Sequence, residues 1–435
     1  MTTPIQNWAD LTFDQQQQVL SRPAQADNEK LSKIVSDILL QVKHRGDDAI
    51  RELTKKFDGI RLAKLRLDDE QIINAKNEIS ENVKSAIDLA YSNIKTFHQA
   101  QLPKDVRIET QPGVICELKH AAIDSVGLYI PGGSAPLPST VLMLGATAQV
   151  AGCQRKVLCT PPDAKGNIAA EIRYAAQLCG IDEIYLIGGA QAVAAMAFGT
   201  QSIVKVDKIF GPGNSFVTEA KQQVSTRADG AAIDMPAGPS EVLVIADELA
   251  DPAFVASDLL SQAEHGADSQ AILVSSSKVL ITAVQQQVAA QLQKLSRQEI
   301  AQKAMQHGRY ILTSDIAESV QVSNQYAPEH LIVQTENARD LLPELKHAGS
   351  IFLGKWSPES AGDYASGTNH VLPTYGYSRN YSSLGLADFM RRFTVQELSY
   401  QGLSNIGNAI MDLADAEGLD AHKRAVSIRL NGVQS

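Results

Sequence analysis

The sequence reads KVLCT at 156–160, AAEIRYAAQLC at 169–179, EIYLIGG at 183–189, AQAVAAMAF at 190–198, KIF at 208–210 and SFVTEAKQQV at 215–224. Short apolar runs here alternate with longer runs of helical character, and this alternation predicts βαβ units. Parallel strands need such crossover helices between them. The stretch therefore predicts a mainly parallel sheet covered by helices, and it decides the fold.

A second alternation follows after residue 240. It consists of EVLVIAD (241–247), PAFVASDLLSQAEHG (252–266), AILVSSS (271–277) and ITAVQQQVAAQLQKL (281–295). Two separated stretches of this kind favour two sheet-based domains over one. The predicted fold class is α/β, with two Rossmann-like α/β/α domains and small helical extensions at both ends.

The flanking segments complete the predicted organisation. Residues 28–101 have helical periodicity with a stop at Phe57-Asp58-Gly59, Gln111-Pro112-Gly113 marks a hairpin turn, and only short helices are expected after Arg379. That tail is too small for its own core and must pack on something else, such as a partner chain. We expect an N-terminal helical extension (1–25), a first, discontinuous α/β domain (26–128 plus 241–380), a second α/β domain (129–240) and a C-terminal helical extension (381–435).

Composition excludes several classes of protein. The 435 residues are 44% hydrophobic and 20% charged, which is typical of a folded globular protein. The formal net charge is −10, and the sequence has no cluster of lysine and arginine that would bind a phosphate backbone. We therefore expect no nucleic-acid partner. The N-terminus has no signal-peptide pattern and no apolar run is long enough for a membrane span, which predicts a cytoplasmic protein without a membrane partner.

Glycine-rich turns are the first candidate binding features. They are Gly132-Gly133, Gly188-Gly189 and Gly211 to Asn214, and each follows a predicted strand and precedes a predicted helix. Such turns present backbone N–H groups to an anion. None is a full GxGxxG pattern, and tight turns without a ligand are at least as common. Their clustering in one βα region nevertheless favours a nucleotide-sized ligand.

Histidine and carboxylate residues supply the second signal. Gln262 and His265 lie three apart at a predicted helix end, where they share one face and could hold a metal ion; an ordinary capping or solvated histidine explains them equally well. Glu329-His330 follows Pro328 and suits an acid–base pair, although proline followed by glutamate also begins helices.

Further candidates come from the C-terminal third. Asp363 and His370 lie in a predicted loop, and Glu417 and His422 flank a helix stop at Gly418. No HExxH motif is present, so a metal site would have to combine distant segments. GxSxG is also absent, and Ser240 begins a predicted strand instead of a nucleophile elbow.

Six blocks together resemble one family, the histidinol dehydrogenases, in that family's order and spacing. They are GLYIPGGSAPLPSTVLM (127–143), KIFGPGNSFVTEAK (208–221), IDMPAGPSEVLVIAD (233–247), SQAEHGADSQAILV (261–274), YAPEHLIV (326–333) and GDYASGTNHVLPT (362–374). The resemblance spans about Leu31 to Arg429, which is nearly the whole chain.

The resemblance implies an activity and its cofactors. It implies oxidation of L-histidinol to L-histidine in two NAD-dependent steps through an enzyme-held aldehyde, at the end of histidine biosynthesis. It also implies one Zn²⁺ ion per subunit and a homodimer with shared active sites. The zinc would clamp the substrate more than generate hydroxide, because substrate nitrogens would add to an already full ligand set.

Residue roles follow from the same resemblance. Glu329 and His330 match the catalytic pair, with His330 as the base for the alcohol proton and Glu329 activating water in the second step. The family's other roles fall on zinc ligands Gln262, His265, Asp363 and His422; on substrate contacts Ser240 and Glu417, together with the four zinc ligands and His330; and on NAD contacts Tyr129, Gln191 and Asn214. His370 would be a neighbour of the substrate without an assigned role. In this family the C-terminal helices cross the dimer, so Glu417 and His422 would complete the partner's site.

Two other functions compete with this hypothesis. A cysteine-dependent aldehyde dehydrogenase would need an exposed, activated thiol, whereas Cys116, Cys153, Cys159 and Cys179 lie in or beside apolar stretches, which predicts buried, reduced thiols. A two-domain binding protein for a small amino-acid-like ligand would need no general base, which the Glu329-His330 pair offers.

Overall fold

The computed structural model describes residues 3–22, 28–132, 136–235 and 238–432. Gly133 of the first glycine turn, part of the block at 233–247 and part of the N-terminal extension lie outside the described residues. The described chain forms two parallel sheets with helices on both faces, together with a smaller antiparallel sheet. This architecture confirms the predicted α/β class.

The described elements are numbered in chain order. The strands are β1 (Ile5–Asn7), β2 (Val106–Gln111), β3 (Val114–Ala122), β4 (Ser125–Tyr129), β5 (Arg155–Thr160), β6 (Glu183–Leu186), β7 (Lys208–Phe210), β8 (Ala232–Ile233), β9 (Glu241–Ala246), β10 (Gln270–Ser275), β11 (Arg309–Leu312), β12 (His330–Gln334), β13 (Ser350–Leu353) and β14 (Met390–Leu398). The α-helices are α1 (Phe13–Val19), α2 (Asn28–Arg45), α3 (Asp47–Phe57), α4 (Asp69–Asn74), α5 (Glu81–Gln99), α6 (Pro138–Ala151), α7 (Ala170–Leu178), α8 (Gly189–Phe198), α9 (Ser215–Ser225), α10 (Pro252–Ala263), α11 (Lys278–Leu292), α12 (Gln298–Ala304), α13 (Ile316–Tyr326), α14 (Glu359–Tyr364), α15 (Tyr400–Ala416) and α16 (Asp420–Asn431).

The alternating stretch at 156–224 forms most of a five-stranded parallel sheet in the order β6-β5-β4-β7-β8. Side chains alternate between its two faces. Leu158 packs with α5, α6 and α7, while Val157 and Cys159 pack with α2, α3 and α8. The chain leaves β4 in one direction toward β5 and β6 and returns on its other side as β7. The carboxyl end of β4 is therefore a topological switch point, where open parallel sheets bind ligands.

The helices at 28–99 also cover the five-stranded sheet. Val35 and Ile50 pack on one face of it, and Ile87 and Ile94 pack on the other. The predicted assignment of residues 26–128 to the domain of the second alternation is wrong for these helices. Their amphipathic pattern predicts a buried face but carries no information about which sheet covers it.

A second sheet contains six parallel strands in the order β1-β11-β10-β9-β12-β13. Helices α10 and α11 pack on one face, and α1 and α13 pack on the other. Its edge strand β1 comes from the N-terminus, where Ile5 pairs with Tyr310 of β11. The predicted extension at 1–25 thus contains helix α1 but also contributes a strand to this sheet, which the prediction of a purely helical extension missed.

The predicted hairpin forms as β2 and β3, and β14 pairs with β3 in antiparallel register over its full length. A tail made only of short helices was therefore the wrong prediction, because LADFMRRF passes from a short 3-10 helix (Leu386–Phe389) directly into β14. Helices α15 and α16 pack against each other beyond this strand. Among the described helices, none has the length and apolar character that crossing a bilayer requires.

Candidate active site

The backbone of one residue, Glu241, contacts both predicted catalytic side chains. Glu241 begins β9 beside β12, which begins at His330. The Glu241 N–H donates to Oε2 of Glu329 at 2.8 Å, and the Glu241 carbonyl oxygen lies 3.2 Å from Nδ1 of His330. A carbonyl accepts only, so Nδ1 carries the proton and Nε2 keeps its lone pair. Glu329 and His330 therefore begin or precede a strand, which excludes the helix start that Pro328 also suggested.

Burial shifts the pKa values of both predicted catalytic groups. Glu329 and His330 are 5% and 4% exposed. Loss of water raises the pKa of Glu329 well above its ordinary value, against the hydrogen bonds from the Glu241 N–H and the Ser240 hydroxyl. Burial also lowers the pKa of His330 to about 3, against the hydrogen bond to Glu241. His330 is thus a neutral imidazole whose Nε2 has no hydrogen-bond partner within the described chain.

Hydrogen bonds from Arg22 hold the buried side chain of Glu241 in place. The Arg22 guanidinium donates to both carboxylate oxygens of Glu241 at 2.6 and 2.7 Å and to the carbonyl of Tyr326 at 2.9 Å. It also lies over the Tyr326 ring at 4.1 Å from the centroid. A bidentate guanidinium–carboxylate pair is geometrically specific. Arg22 therefore positions Glu241, whose backbone contacts the predicted catalytic pair.

A group of possible metal ligands lies next to His330. Ligand atoms of His265, Glu359 and Asp363 lie within 4.8 Å of one another. Nε2 of His265 is 4.0 Å from Oε1 of Glu359, and Nε2 of His330 is 3.8 Å from Oδ1 of Asp363. Asp363 lies in the short helix α14, which corrects the prediction of a loop at this position.

The polar atoms around this group fit a bound Zn²⁺ ion. Both carboxylate oxygens of Glu359 and both amide atoms of Gln262 are buried without a hydrogen-bond partner in the described chain. Burial raises the pKa of Glu359 well above its ordinary value and that of Asp363 to about 7. Buried carboxylates without partners are unfavourable unless a cation compensates them, and zinc accepts nitrogen and oxygen ligands.

His370 connects this group to the other sheet. Its Nδ1 lies 2.9 Å from the Asp363 carbonyl oxygen, and its Nε2 lies 3.3 Å from Oγ1 of Thr140 on α6. Burial lowers its pKa to about 4, so the ring is neutral. His370 therefore links α14, the helix that carries Asp363, to Thr140 on α6.

A cavity of about 580 Å³ opens at the carboxyl edge of the five-stranded sheet. Tyr129, Gln191 and Asn214, the predicted NAD contacts, all line it. Tyr129 ends β4, and its hydroxyl accepts a hydrogen bond from the Gly189 N–H at 3.1 Å. Gly189 has φ +64°, which suits glycine, and a Cβ there would lie 2.9 Å from Oε1 of Gln191.

Two helix N-termini face the cavity. Helix α8 begins at Gly189, and Asn214 caps α9 by accepting hydrogen bonds from the N–H groups of Phe216 and Val217 at 3.1 and 3.2 Å. Helix N-termini favour anions such as a diphosphate. The size of the cavity and these two helix ends fit a dinucleotide.

Two predicted site residues lie elsewhere. Glu417 follows α15 and His422 lies in α16, and both are exposed. The group of possible metal ligands in the described chain contains neither residue. The described chain thus brings together His265 and Asp363 of the four predicted zinc ligands, and Gln262 lies one helical turn before His265.

Glu359 was missed by the sequence analysis. It lies four residues before Asp363, a spacing that puts both carboxylates on one face of a helix. That signal was present, but Ser357-Pro358 before it gave no indication that the helix would be buried.

Three of the four cysteines are buried as predicted and do not provide an activated thiol, whereas Cys116 on β3 is half-buried, which the prediction of four buried thiols missed. Cys153, Cys159 and Cys179 are buried, and burial raises the pKa of the Cys153 thiol to about 11 and that of Cys179 to about 12. Reactive cysteines have lowered pKa values in electropositive settings. These three residues are structural thiols.

A dinucleotide-sized cavity in a chain that also carries a buried histidine–glutamate pair is typical of an oxidoreductase. Comparisons with known proteins agree: residues 21–430 match the family profile described as histidinol dehydrogenase. The chain belongs to the histidinol dehydrogenase family. This result confirms the family predicted from the six sequence blocks.

Individual relatives cover nearly the whole chain. A histidinol dehydrogenase of Vibrio parahaemolyticus is 60% identical over 423 residues, which are 97% of each protein. One of Colwellia psychrerythraea is 60% identical over 430 residues, 99% of each. The crystal structure of histidinol dehydrogenase from Elizabethkingia anophelis has a TM-score of 0.95 at 49% identity, covering 100% of this chain and 99% of that one.

Proposed function

We propose that the chain oxidises L-histidinol to L-histidine with two molecules of NAD, through L-histidinaldehyde held on the enzyme, as the last two steps of histidine biosynthesis. The observation that carries the proposal is the neutral His330, whose free Nε2 lies 3.8 Å from Asp363 in the group of possible metal ligands. A base beside a substrate clamp suits oxidation of an alcohol.

Gln262, His265 and Asp363 would hold a Zn²⁺ ion together with the partner subunit's His422. When bound, zinc supplies a Lewis-acidic anchor for the nitrogen atoms of the substrate. Glu359 adds a buried negative charge beside His265, which favours retention of a dication. Substrate bound there would lie against His330 and Glu329, the two residues assigned to proton transfer.

In the first oxidation, Nε2 of His330 accepts the proton of the substrate hydroxyl. A bound NAD would supply the hydride acceptor, so that loss of the hydride from the same carbon would leave the aldehyde. The contact between Nδ1–H and the Glu241 carbonyl orients the ring for this transfer and stabilises the imidazolium that forms. Burial of the site keeps the aldehyde away from bulk solvent.

In the second oxidation, one water molecule adds to the aldehyde carbonyl, and Glu329 accepts a proton from that water. Burial makes the Glu329 carboxylate a stronger base than an exposed glutamate. The resulting hydrate loses its hydride to a second NAD and becomes the carboxylic acid of L-histidine. Glu329 and His330 therefore act in successive steps of one reaction.

NAD would occupy the cavity at the five-stranded sheet. Its diphosphate would lie at the N-termini of α8 and α9, and Tyr129, Gln191 and Asn214 would contact it. The buried Tyr129 hydroxyl is held by the Gly189 N–H, so this wall of the cavity is preformed.

We also propose a homodimer in which α15 and α16 carry Glu417 and His422 into the partner's site. Exposed apolar side chains on β14 and the helix after it support a covered surface; they include Phe393, Val395, Leu398 and Tyr400. A 1:1 mixture of His330→Ala and His422→Ala chains should regain about a quarter of wild-type activity after subunit exchange, because half the dimers are mixed and each has one intact site. No recovery would contradict shared sites.

The reaction itself is tested by its stoichiometry. Zinc-loaded protein with excess NAD should form two NADH per L-histidinol, lose activity on chelation and regain it when zinc is returned. One NADH per substrate would mean that the aldehyde is released and that Glu329 lacks its assigned role. No NADH would contradict the proposal and favour a binding protein.

A further inference from the structure

The charges around the dinucleotide cavity are unequal. Among the described residues that line it, the carboxylates are those of Asp58 and Asp163, and there is no lysine or arginine. A cavity that takes an anionic dinucleotide without a lysine or arginine in its described lining relies on backbone dipoles for the diphosphate. The two carboxylates must therefore have another purpose or a structural explanation.

Asp163 has a structural explanation. Its Oδ1 accepts hydrogen bonds from the N–H groups of Lys165 and Asn167, both at 2.8 Å. These bonds close the turn between β5 and α7.

Asp58 has no such explanation. Its Oδ2 is buried without a hydrogen-bond partner in the described chain, and burial raises the pKa of this carboxyl. The charge of Asp58 also acts on the hydroxyl of Tyr129, which places the two side chains in the same part of the cavity. A buried carboxylate oxygen without a donor is unfavourable in the free protein. Because Asp58 as a whole is only half-buried, its carboxylate can turn toward the cavity, where a ligand would supply the donor that Oδ2 lacks.

The position of Asp58 is rigid. It ends α3, and its N–H donates to the Thr54 carbonyl at 2.9 Å. The other end of α3 is fixed by Asp47, whose N–H donates to Gln201 Oε1 at 2.8 Å and whose carboxylate accepts a hydrogen bond from the Ser202 hydroxyl. The helix thus fixes the backbone of Asp58 beside the cavity.

We propose that Asp58 recognises the adenosine ribose of the dinucleotide by accepting hydrogen bonds from its 2′- and 3′-hydroxyls, and that it excludes dinucleotides phosphorylated at the 2′ position. The inference rests on the proposed function in that the cavity takes NAD. Two adjacent hydroxyls match the two oxygens of one carboxylate. A 2′-phosphate would instead meet a like charge, and no cation in the described lining would neutralise it.

Apolar surface beside Asp58 suits the adenine base. Ile38 of α2 and Phe57 line the same cavity, and Phe57 directly precedes Asp58. The ribose-recognition residue would thus come from helices that precede the sheet, and not from a strand end of the sheet itself.

The test measures binding of ADP-ribose and 2′-phospho-ADP-ribose by calorimetry, since neither compound contains nicotinamide or undergoes oxidation. The wild-type protein should bind ADP-ribose at least about tenfold more tightly. Asp58→Asn, which keeps the shape, should reduce that preference by about tenfold or more, and Asp58→Glu, which keeps the charge, should retain exclusion of the 2′-phosphate. Asp48→Asn removes an exposed charge from the same helix and should leave the preference at its wild-type value.

The outcomes separate this inference from the proposed function. If the wild-type protein oxidises L-histidinol with NAD but Asp58→Asn keeps the full preference, the role of Asp58 is wrong and the activity stands. Equal binding of the two compounds by the wild-type protein also contradicts the role of Asp58. If neither compound binds, the cavity is not the dinucleotide site and both proposals fail. The ratio of kcat/KM for NAD over NADP should change in parallel with the binding preference.

Discussion

The two parallel sheets use opposite edges for their sites. The cavity lies at the carboxyl edge of the five-stranded sheet, after Tyr129 and before the N-termini of α8 and α9. The catalytic pair lies at the amino edge of the six-stranded sheet, where β9 and β12 begin at Glu241 and His330. In a parallel α/β layer, connecting helices begin at the carboxyl edge and end at the amino edge.

The helix dipoles therefore differ in sign between the sites. Positive helix N-termini face the cavity proposed for an anionic dinucleotide, and the negative C-terminus of α10 carries Gln262 beside the group proposed for a cation. One fold can therefore offer a positive helix end at one site and a negative helix end at the other. Its backbone supplies part of the field at each site, and ionisable side chains are more concentrated at the group proposed for a metal ion than in the described cavity lining.

The largest expected effect concerns the amino edge. His330→Asn and Glu329→Gln should each lower kcat about a thousandfold, because each removes a proton acceptor. Affinity for ADP-ribose should stay at the wild-type value, since that ligand binds at the other sheet. Steady-state kinetics and calorimetry check the two parts, with the exposed His44→Asn as control. Loss of ADP-ribose binding in the two variants would show that the sites at the two sheet edges are not independent.

A smaller effect is expected for zinc. Glu359→Gln keeps the size of the side chain but removes a buried charge, and it should weaken zinc binding by about 10- to 100-fold. Competition with a chromogenic chelator measures this affinity without any need for turnover. Glu248→Gln changes an exposed carboxylate and serves as control. Unchanged zinc affinity in Glu359→Gln would mean that this carboxylate is not compensated by the metal.

The stability of the protein should reveal the free-energy cost of one buried carboxyl group, that of Asp258. Burial raises the pKa of Asp258 to about 7, and Oδ2 of Asp258 accepts a hydrogen bond from Gln334 at 2.5 Å. The folded protein thus holds a proton that the unfolded chain releases near pH 4, so this group destabilises the fold as pH rises from 4 to 7.

Asp258→Asn removes that penalty while an amide oxygen can still accept from Gln334. The metal-free variant should exceed the metal-free wild type in stability by roughly 2–4 kcal/mol at pH 8, and the difference should be less than half as large at pH 5. Urea unfolding at both pH values measures it, and the exposed Asp412→Asn is the control. A difference independent of pH would show that packing, and not charge, explains the change.

The smallest effect is expected for the positioning residue. Arg22→Lys keeps the charge but loses the bidentate contact with Glu241, so kcat should fall by about tenfold or less. KM for NAD should not change, because the cavity lies at the other edge. The exposed Arg45→Lys controls for the substitution itself. An increase in KM for NAD with constant kcat would contradict a role at the catalytic pair.

The sequence predicted those features of the two sheets and their sites that depend on local pattern. The runs at 156–224 have strand and helix periodicity, and Glu329-His330 are neighbours in the chain, so both were visible. Long-range pairing was not visible. Residues 28–99 show an apolar face without a partner, and β14 is a strand because it pairs with β3.

The same distinction between local pattern and long-range packing applies to the candidate site. Gln262 and His265 were found through their spacing, and the resemblance supplied Asp363, His422 and the other roles. Glu359 and Glu241 gained their importance only through burial beside His330, which no local pattern indicates. Asp58 appeared as part of a helix stop, and only the fold brings that stop to the cavity.

The pairing of β1 with β11 also sets an order of assembly during synthesis. Ile5 leaves the ribosome early, but its partner Tyr310 is made only after every strand of the five-stranded sheet. Domains tend to fold as units while the chain emerges. We expect the five-stranded sheet and its helices to fold first, with the N-terminal strand waiting unpaired, so that the nascent chain builds its dinucleotide cavity before it can assemble the residues that react.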